Sequence, residues 1–331
     1  MIDLPGFHDL TAWQIERLEL RRRLWALLGD LPPLFTPTPT FDPAARHSGF
    51  TLHHFSFDNE AGAIVYGYLL IPDDLRQPAP AVLYHHVHGG KYDWGKEQLL
   101  TLHPTHGRAD GVELAQRGFV VLGIDAYCFG ERTSQGPAGA RETGRETEYA
   151  LAKQFLWQGK SRWGMMVRDD LLALNVLLAR PEVDPARVAA TGMSLGGSRT
   201  TWLSALDDRV ALTIPVSQMT RYADLLADGE LNRHSIYYYV PGMLKAGIDM
   251  EQIVALTAPR AQVILSGDSD PSSPMRGITA ITQTAEQVYH LYGAADRLQV
   301  KIYPGVEHAY TRAMHDDMAA VVQTWLGPGA R

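Results

Sequence analysis

Beyond Pro80 the chain alternates between short apolar runs and longer amphipathic ones, and this alternation restricts the fold more than any other feature. Residues 81–85, 119–124, 187–190, 210–216, 261–265 and 299–303 have the length and apolar continuity of strands buried on both faces. Helical spacing fills the gaps at 108–116, 147–157, 165–178, 197–206, 279–292 and 315–325. Strands joined through a helix run parallel, because the crossover returns the chain to the same end of the sheet. The pattern predicts an α/β protein whose mostly parallel sheet is flanked by helices.

Upstream, residues 50–57 and 63–71 are rich in β-branched and aromatic side chains. The turn composition Asp58-Asn59-Glu60-Ala61-Gly62 separates them, so they should pair antiparallel. Residues 1–49 read as an N-terminal helix and a proline-rich extension, and 50–331 as the main domain. In the helix, at 11–28, Trp13, Ile15, Leu18, Leu24, Trp25 and Leu28 recur at roughly helical spacing. Glu16 and Glu19 dilute the basic run 21–23, which reads as a solvated face. Pro32, Pro33, Pro37 and Pro39 should keep 31–40 extended over the body. Over forty residues separate Val216 from the next strand, too many for a simple connection. Residues 217–258 are therefore predicted to form a helical cap over the strand ends. Its Met219, Tyr222, His234, Tyr237, Tyr238 and Tyr239 are candidates to wall a pocket.

Composition excludes several classes. A net charge of −7 gives no field that would gather nucleic acid or an anionic membrane. Cys128 is the one cysteine, so no intrachain disulfide can form and a reducing interior is the default. The first residues lack the apolar core and cleavage pattern of a secretory leader, and no apolar run could cross a bilayer. A cytoplasmic chain is expected, acting on a small molecule, with a homo-oligomer left open.

The chemistry concentrates at Gly192-Met193-Ser194-Leu195-Gly196, between a predicted strand and a predicted helix. A sharp strand-to-helix turn of this kind lifts a serine oxygen above the sheet edge. A serine hydroxyl needs a base to take its proton and an acid to orient that base, in the order Ser, Asp, His. The run 261–265 leads into Ser266-Gly267-Asp268-Ser269-Asp270-Pro271, and the last strand leads into Pro304-Gly305-Val306-Glu307-His308. His308 is the expected base. Asp270 is favoured as the acid, with Asp268 shaping its own turn. The developing oxyanion would be met by the amide of Leu195 and by one from His85-His86-Val87-His88-Gly89-Gly90-Lys91, with Gly90 favoured and Lys91 the alternative. His85, His86 and His88 lack the accompanying carboxylates or cysteines of a metal site. No phosphate-binding or dinucleotide-binding glycine pattern occurs. No metal and no cofactor is expected.

These residues resemble the α/β-hydrolase superfamily, and within it the dienelactone hydrolase-like and acetyl xylan esterase-like branch. The landmarks run from about Phe50 to the C-terminus. They include His85-His86-Val87-His88-Gly89-Gly90, Arg117-Gly118-Phe119, Arg180-Pro181-Glu182-Val183-Asp184, the serine turn, Ala258-Pro259-Arg260 and Tyr303-Pro304-Gly305-Val306-Glu307-His308. The resemblance implies an eight-stranded sheet with an antiparallel second strand, and catalysis by Ser194, Asp270 and His308. It departs at one point: dienelactone hydrolases use a cysteine nucleophile, whereas this turn holds Ser194. A serine hydrolase of small or medium carboxylic esters, such as acetylated sugars, is the leading expectation. The competing readings are a peptidase of prolyl-oligopeptidase type, for which fifty N-terminal residues cannot supply a propeller, and a non-catalytic binding protein on the same fold.

Overall fold

The computed structural model describes residues 9–327. The chain enters through α1 (Leu10–Leu28), crosses β1 (Thr40–Phe41) and β2 (Ala45–His47), and forms the hairpin β3 (Phe50–Asp58) and β4 (Ile64–Pro72). The alternating part follows as β5 (Ala79–His85), α2 (Asp110–Gln116), β6 (Val120–Ile124), α3 (Arg145–Trp157), α4 (Arg162–Leu178), β7 (Val183–Met193), α5 (Leu195–Leu206) and β8 (Leu212–Val216). After α6 (Tyr222–Asp228) and α7 (Met250–Ala255) come β9 (Ala261–Gly267), α8 (Met275–Leu291), β10 (Leu298–Tyr303) and α9 (Arg312–Leu326).

The strands lie in the order β1-β3-β4-β6-β5-β7-β8-β9-β10, with β2 beside β3. Strand β4 is antiparallel to both its neighbours, and β6 through β10 are mutually parallel. This is the expected eight-stranded sheet, extended at one edge by β1 and β2. The sequence reading missed those two because they are only two and three residues long, with Pro43 between them. Strands β5 to β9 are buried on both faces, in two apolar layers that contain Trp163, Trp202 and Leu172 on one side and Leu99, Leu114 and Met318 on the other.

The N-terminal helix docks differently from its sequence pattern. Its buried residues are Trp13, Leu20, Leu24 and Leu28, while Ile15 and Leu18 are 67% and 68% exposed. The basic run is only partly solvated. Arg21 donates to the Ala205 carbonyl and pairs with Asp208 at 2.6 Å, Arg23 donates to the Ala246 carbonyl, and only Arg22 turns outward, to Glu19. Arg17 and Arg260 also reach Asp208, so α1 is held by charge as well as by apolar contact. The proline-rich stretch runs extended over α4, where Arg168 donates to the carbonyls of Pro32 and Pro33 and Asn175 to that of Phe35.

The interval after β8 divides. Helix α7 is buried and packs against α5 and α8 as part of the body, whereas residues 236–238 before it pack against α3 and α4. Among the described residues no helix is long and apolar enough to cross a membrane. The first eight residues, on which the absence of a leader was read, lie outside the described ones. Trp13 packs among Ala255, Ala258, Val288 and Tyr289. Trp13→Ala should cost about 3–5 kcal/mol in chemical denaturation, while Ile15→Ala should cost well under 1 kcal/mol.

Candidate active site

Three loops at the carboxyl ends of β7, β9 and β10 converge on one point, where open α/β sheets bind ligands. The first is the turn from β7 into α5. Ser194 has φ 57° and ψ −115°, a region L-residues rarely occupy, at a cost of about 1–3 kcal/mol. The glycines at 192 and 196 have a steric cause. A Cβ on either would lie 2.3 or 2.0 Å from the carbonyl oxygen of His85 on the neighbouring strand. The amide of Ser194 donates to the Val216 carbonyl at 2.9 Å, which fixes the turn to β8 as well.

Ser194 Oγ lies 2.9 Å from His308 Nε2, and His308 Nδ1 lies 2.7 Å from Asp270 Oδ2. The Asp270 carboxylate is buried, and its Oδ1 accepts from the Ser272 amide at 2.8 Å. Asp268 lies exposed, accepting at one oxygen from Ser269 Oγ and from the Gly305 amide, so it ties its own turn to the loop that carries His308. Ser217 Oγ donates to the Ala309 carbonyl and holds the same loop from the β8 side. The geometry thus brings Ser194, His308 and Asp270 together and leaves Asp268 in a shaping position.

On the other side of Ser194 stands the loop after β5. His85 and His86 are buried, with Nδ1 of His85 against Thr200 Oγ1 and Nδ1 of His86 against the Val87 carbonyl. His88 lies apart from them, stacked on Tyr237 with ring centroids 5.3 Å apart. Its Nδ1 accepts from the Gly90 amide at 3.1 Å, which places its proton on Nε2, facing Glu148 at 3.6 Å. The Lys91 amide donates to the His88 carbonyl. Both sequence candidates for the second oxyanion donor therefore already have a local acceptor. Leu195 is the first residue of α5, where an amide has no partner within its helix.

Glu148 is the charged centre behind this loop. It accepts from Tyr92 Oη at 2.6 Å and Ser235 Oγ at 2.5 Å, and Arg162 Nη1 approaches its other oxygen at 3.0 Å. Burial alone would raise its carboxyl, but His88, Arg162, Ser235 and Tyr92 outweigh that and hold it at about 2. Burial, helped by the nearby His308, pushes His234 down to about 4. Cys128 lies buried after β6, its thiol pushed up by burial.

Ser194 and His308 open into a cavity of about 630 Å³ that His88, Gly90, Tyr92, Tyr149, Arg145 and Arg233 also line. Of the six pocket candidates after β8, only His234 and Tyr237 line it. Met219 is buried in the core, and Tyr222, Tyr238 and Tyr239 border a separate cavity of about 340 Å³ with Leu225 and Met243. The sequence reading missed Arg145, Glu148 and Tyr149. They stand three and four residues apart on the first turns of α3, a spacing that also fits an ordinary flanking helix.

The dienelactone hydrolase family model matches residues 67–326. The Bacillus subtilis (strain 168) protein named "Putative hydrolase YtaP" is 33% identical over 316 residues, covering 94% of this chain and all of that protein. Among solved structures, Methylesterase BT1017 superposes with a TM-score of 0.71 at 20% identity, covering 96% of this chain, which spans 65% of that longer chain. A glucuronoyl esterase from Solibacter usitatus gives 0.64 at 16% identity, over 95% of this chain and 93% of that one. With the family model matched over most of its length and a full-length relative at 33% identity, the chain belongs to the dienelactone hydrolase family and is a carboxylesterase-like serine hydrolase on the α/β-hydrolase fold.

Proposed function

We propose that the chain hydrolyses small or medium esters of polar alcohols through an acyl-enzyme on Ser194. The observation that carries this reading is the continuous contact from Ser194 Oγ through His308 to the buried Asp270 carboxylate, at the mouth of a cavity. In this reading His308 Nε2 takes the serine proton as Oγ attacks the acyl carbon, and Asp270 fixes the ring with its other nitrogen protonated. The Leu195 amide meets the oxyanion, joined by the Gly90 amide once it turns away from His88 Nδ1. His308 then returns the proton to the departing alcohol and activates the water that cleaves the acyl-enzyme.

The cavity walls favour a hydroxylated alcohol portion such as a sugar. Asn232, Ser235 and Tyr149 offer hydroxyl and amide groups, Arg145 and Arg233 offer cationic ones, and among the described residues no carboxylate lines the space. The two solved neighbours, named as a methylesterase and a glucuronoyl esterase, are likewise named for ester substrates. Residues from the interval before α7 serve as the cap in this reading, through Asn232 to Tyr237.

Ser194→Ala and His308→Ala should each lower turnover of a nitrophenyl acetate by about 10⁴-fold or more. Asp270→Asn should fall by a similar factor. Asp268→Asn should keep most of its activity, because the amide oxygen can still accept from Gly305. Equal losses at the two aspartates would refute the assignment.

His234→Ala and Tyr237→Ala should change the ratio of acetyl to octanoyl ester rates, and Tyr239→Ala, which borders the other cavity, should leave that ratio unaltered. An unchanged ratio in all three variants would remove the capping role.

Glu148 adds a pH dependence. Its carboxyl lies near 2 in the folded chain, below the ordinary 4.5, so its contribution to stability is present above 4.5 and is lost as pH falls towards 2. Glu148→Gln should melt well below wild type at pH 7, and the gap should narrow between pH 4.5 and 2. A gap independent of pH would show that the buried charge contributes nothing.

A further inference from the structure

Beside Tyr310 in the loop that carries His308, a second group of ionisable side chains converges with no hydrogen bond between its members. His106 in the loop before α2 and Asp110, the first residue of that helix, meet His315 from α9, and all three are buried. Their potential ligand atoms lie within 4.8 Å of one another, the one such histidine and acid group among the described residues. Glu113, three residues further along α2, stands beside this group, its Oε2 3.7 Å from His315 Nε2 and 3.7 Å from Arg108 Nε.

The separations are informative. His315 Nε2 lies 3.3 Å from Asp110 Oδ1 and 3.7 Å from Glu113 Oε2, and His106 Nε2 lies 3.7 Å from Asp110 Oδ2, the oxygen that also accepts from Tyr84. None of these four groups satisfies its inward atom by hydrogen bonding: His106 Nε2, Asp110 Oδ1, Glu113 Oε2 and His315 Nε2 are all buried with no hydrogen-bond partner among the described residues. Buried polar atoms are rarely left so, and four at one point require a common explanation. Zinc bonds of about 2.0–2.2 Å to nitrogen and oxygen in a tetrahedron put neighbouring donors about 3.3–3.6 Å apart. The spacing of His315 and Asp110 is that of neighbouring ligands around an ion, and the other groups stand slightly wider.

We propose that His106, Asp110, Glu113 and His315 bind a divalent transition metal ion of the zinc class, independently of the ester chemistry. Two imidazoles and the Asp110 carboxylate supply three positions, and Glu113, drawn in from the side, would neutralise the ion and fill the fourth, which is the closed arrangement of a structural site. The outer contacts fit as well. The other Asp110 oxygen is held by Tyr84 Oη at 2.8 Å, and His315 Nδ1 faces the Asp316 carboxylate at 3.4 Å, so both ligands are oriented from behind. With Nε2 of His106 on the metal its proton sits on Nδ1, and the Arg108 amide, 3.3 Å from that nitrogen, turns away.

The position gives the ion a task. Tyr310, two residues after His308, packs edge-on against His106 with centroids 4.6 Å apart, and its carbonyl accepts from Thr105 Oγ1. The ion would fasten the 101–109 loop, α2 and α9 to one another directly behind the loop that presents His308 to Ser194.

Metal analysis of the full-length, tag-free chain tests this. Zinc should be present at close to one per chain. Removal with dipicolinate should lower the melting temperature, and one equivalent of zinc should restore it. Cobalt in place of zinc should give the intense visible bands of four-coordinate geometry. His315→Gln and His106→Gln should weaken zinc binding about 100-fold or more. If those variants do not fold, the cobalt spectrum of the wild-type chain decides. Failure of the chelator-treated wild type to bind zinc or cobalt at micromolar concentration would overturn the proposal, as would unaltered binding in His315→Gln.

Discussion

The carbonyl oxygen of His85 is the contact on which the site depends. It stands so close to residues 192 and 196 that neither can carry a side chain, and this lets β7 turn into α5 within one residue beside β5. Ser194 absorbs the turn in a positive-φ conformation. The strain is borne by the hydrogen bonds and burial of the surrounding strands, and its result is a serine oxygen held clear of the sheet within reach of His308. Parallel register does the rest: β5, β7, β9 and β10 end at the same edge, so four loops meet without any long-range connection of their own.

Charge is distributed around that point with a consistent logic. Asp270 and Glu148 are both buried and both are matched, the first by His308 and the Ser272 amide, the second by Arg162 and by hydroxyls from Tyr92 and Ser235. A buried carboxylate without such partners would cost several kcal/mol. Glu148 also couples three separate segments, since Tyr92 and His88 belong to the loop after β5 and Ser235 to the interval after β8. The wall of the cavity and its covering segment are thereby fastened to one carboxylate.

Much of this was legible in the residues because the physics is local. A glycine two positions either side of a serine, between a buried strand and a helix, has a steric meaning that survives without coordinates, and short apolar strands alternating with helices place Asp270 and His308 in the loops that end later strands. What stayed hidden depended on distant packing. Ile15 and Leu18 fit a helical apolar face as well as Leu20 does, and only the body against which α1 docks decides between them. Arg21 and Arg23 read as solvated because Asp208 and the Ala246 carbonyl, their partners, lie far along the chain. Asp110 and Glu113 share the first turn of α2 and His106 lies just before it, but His315 lies about two hundred residues away, so their convergence has no signature in spacing. Tyr222 and Tyr238 have the right chemistry for a pocket wall and line the wrong cavity.

The central claim is that the contact of Ser194 with His308 makes an activated nucleophile. Reaction with a fluorophosphonate, followed by peptide mass mapping, tests it most directly, because only an activated hydroxyl is phosphonylated at a useful rate. The account predicts one adduct per chain, on the peptide containing Ser194, formed rapidly in the wild type and lost in His308→Ala. An unmodified Ser194 peptide, or an adduct that forms equally fast without His308, would contradict it.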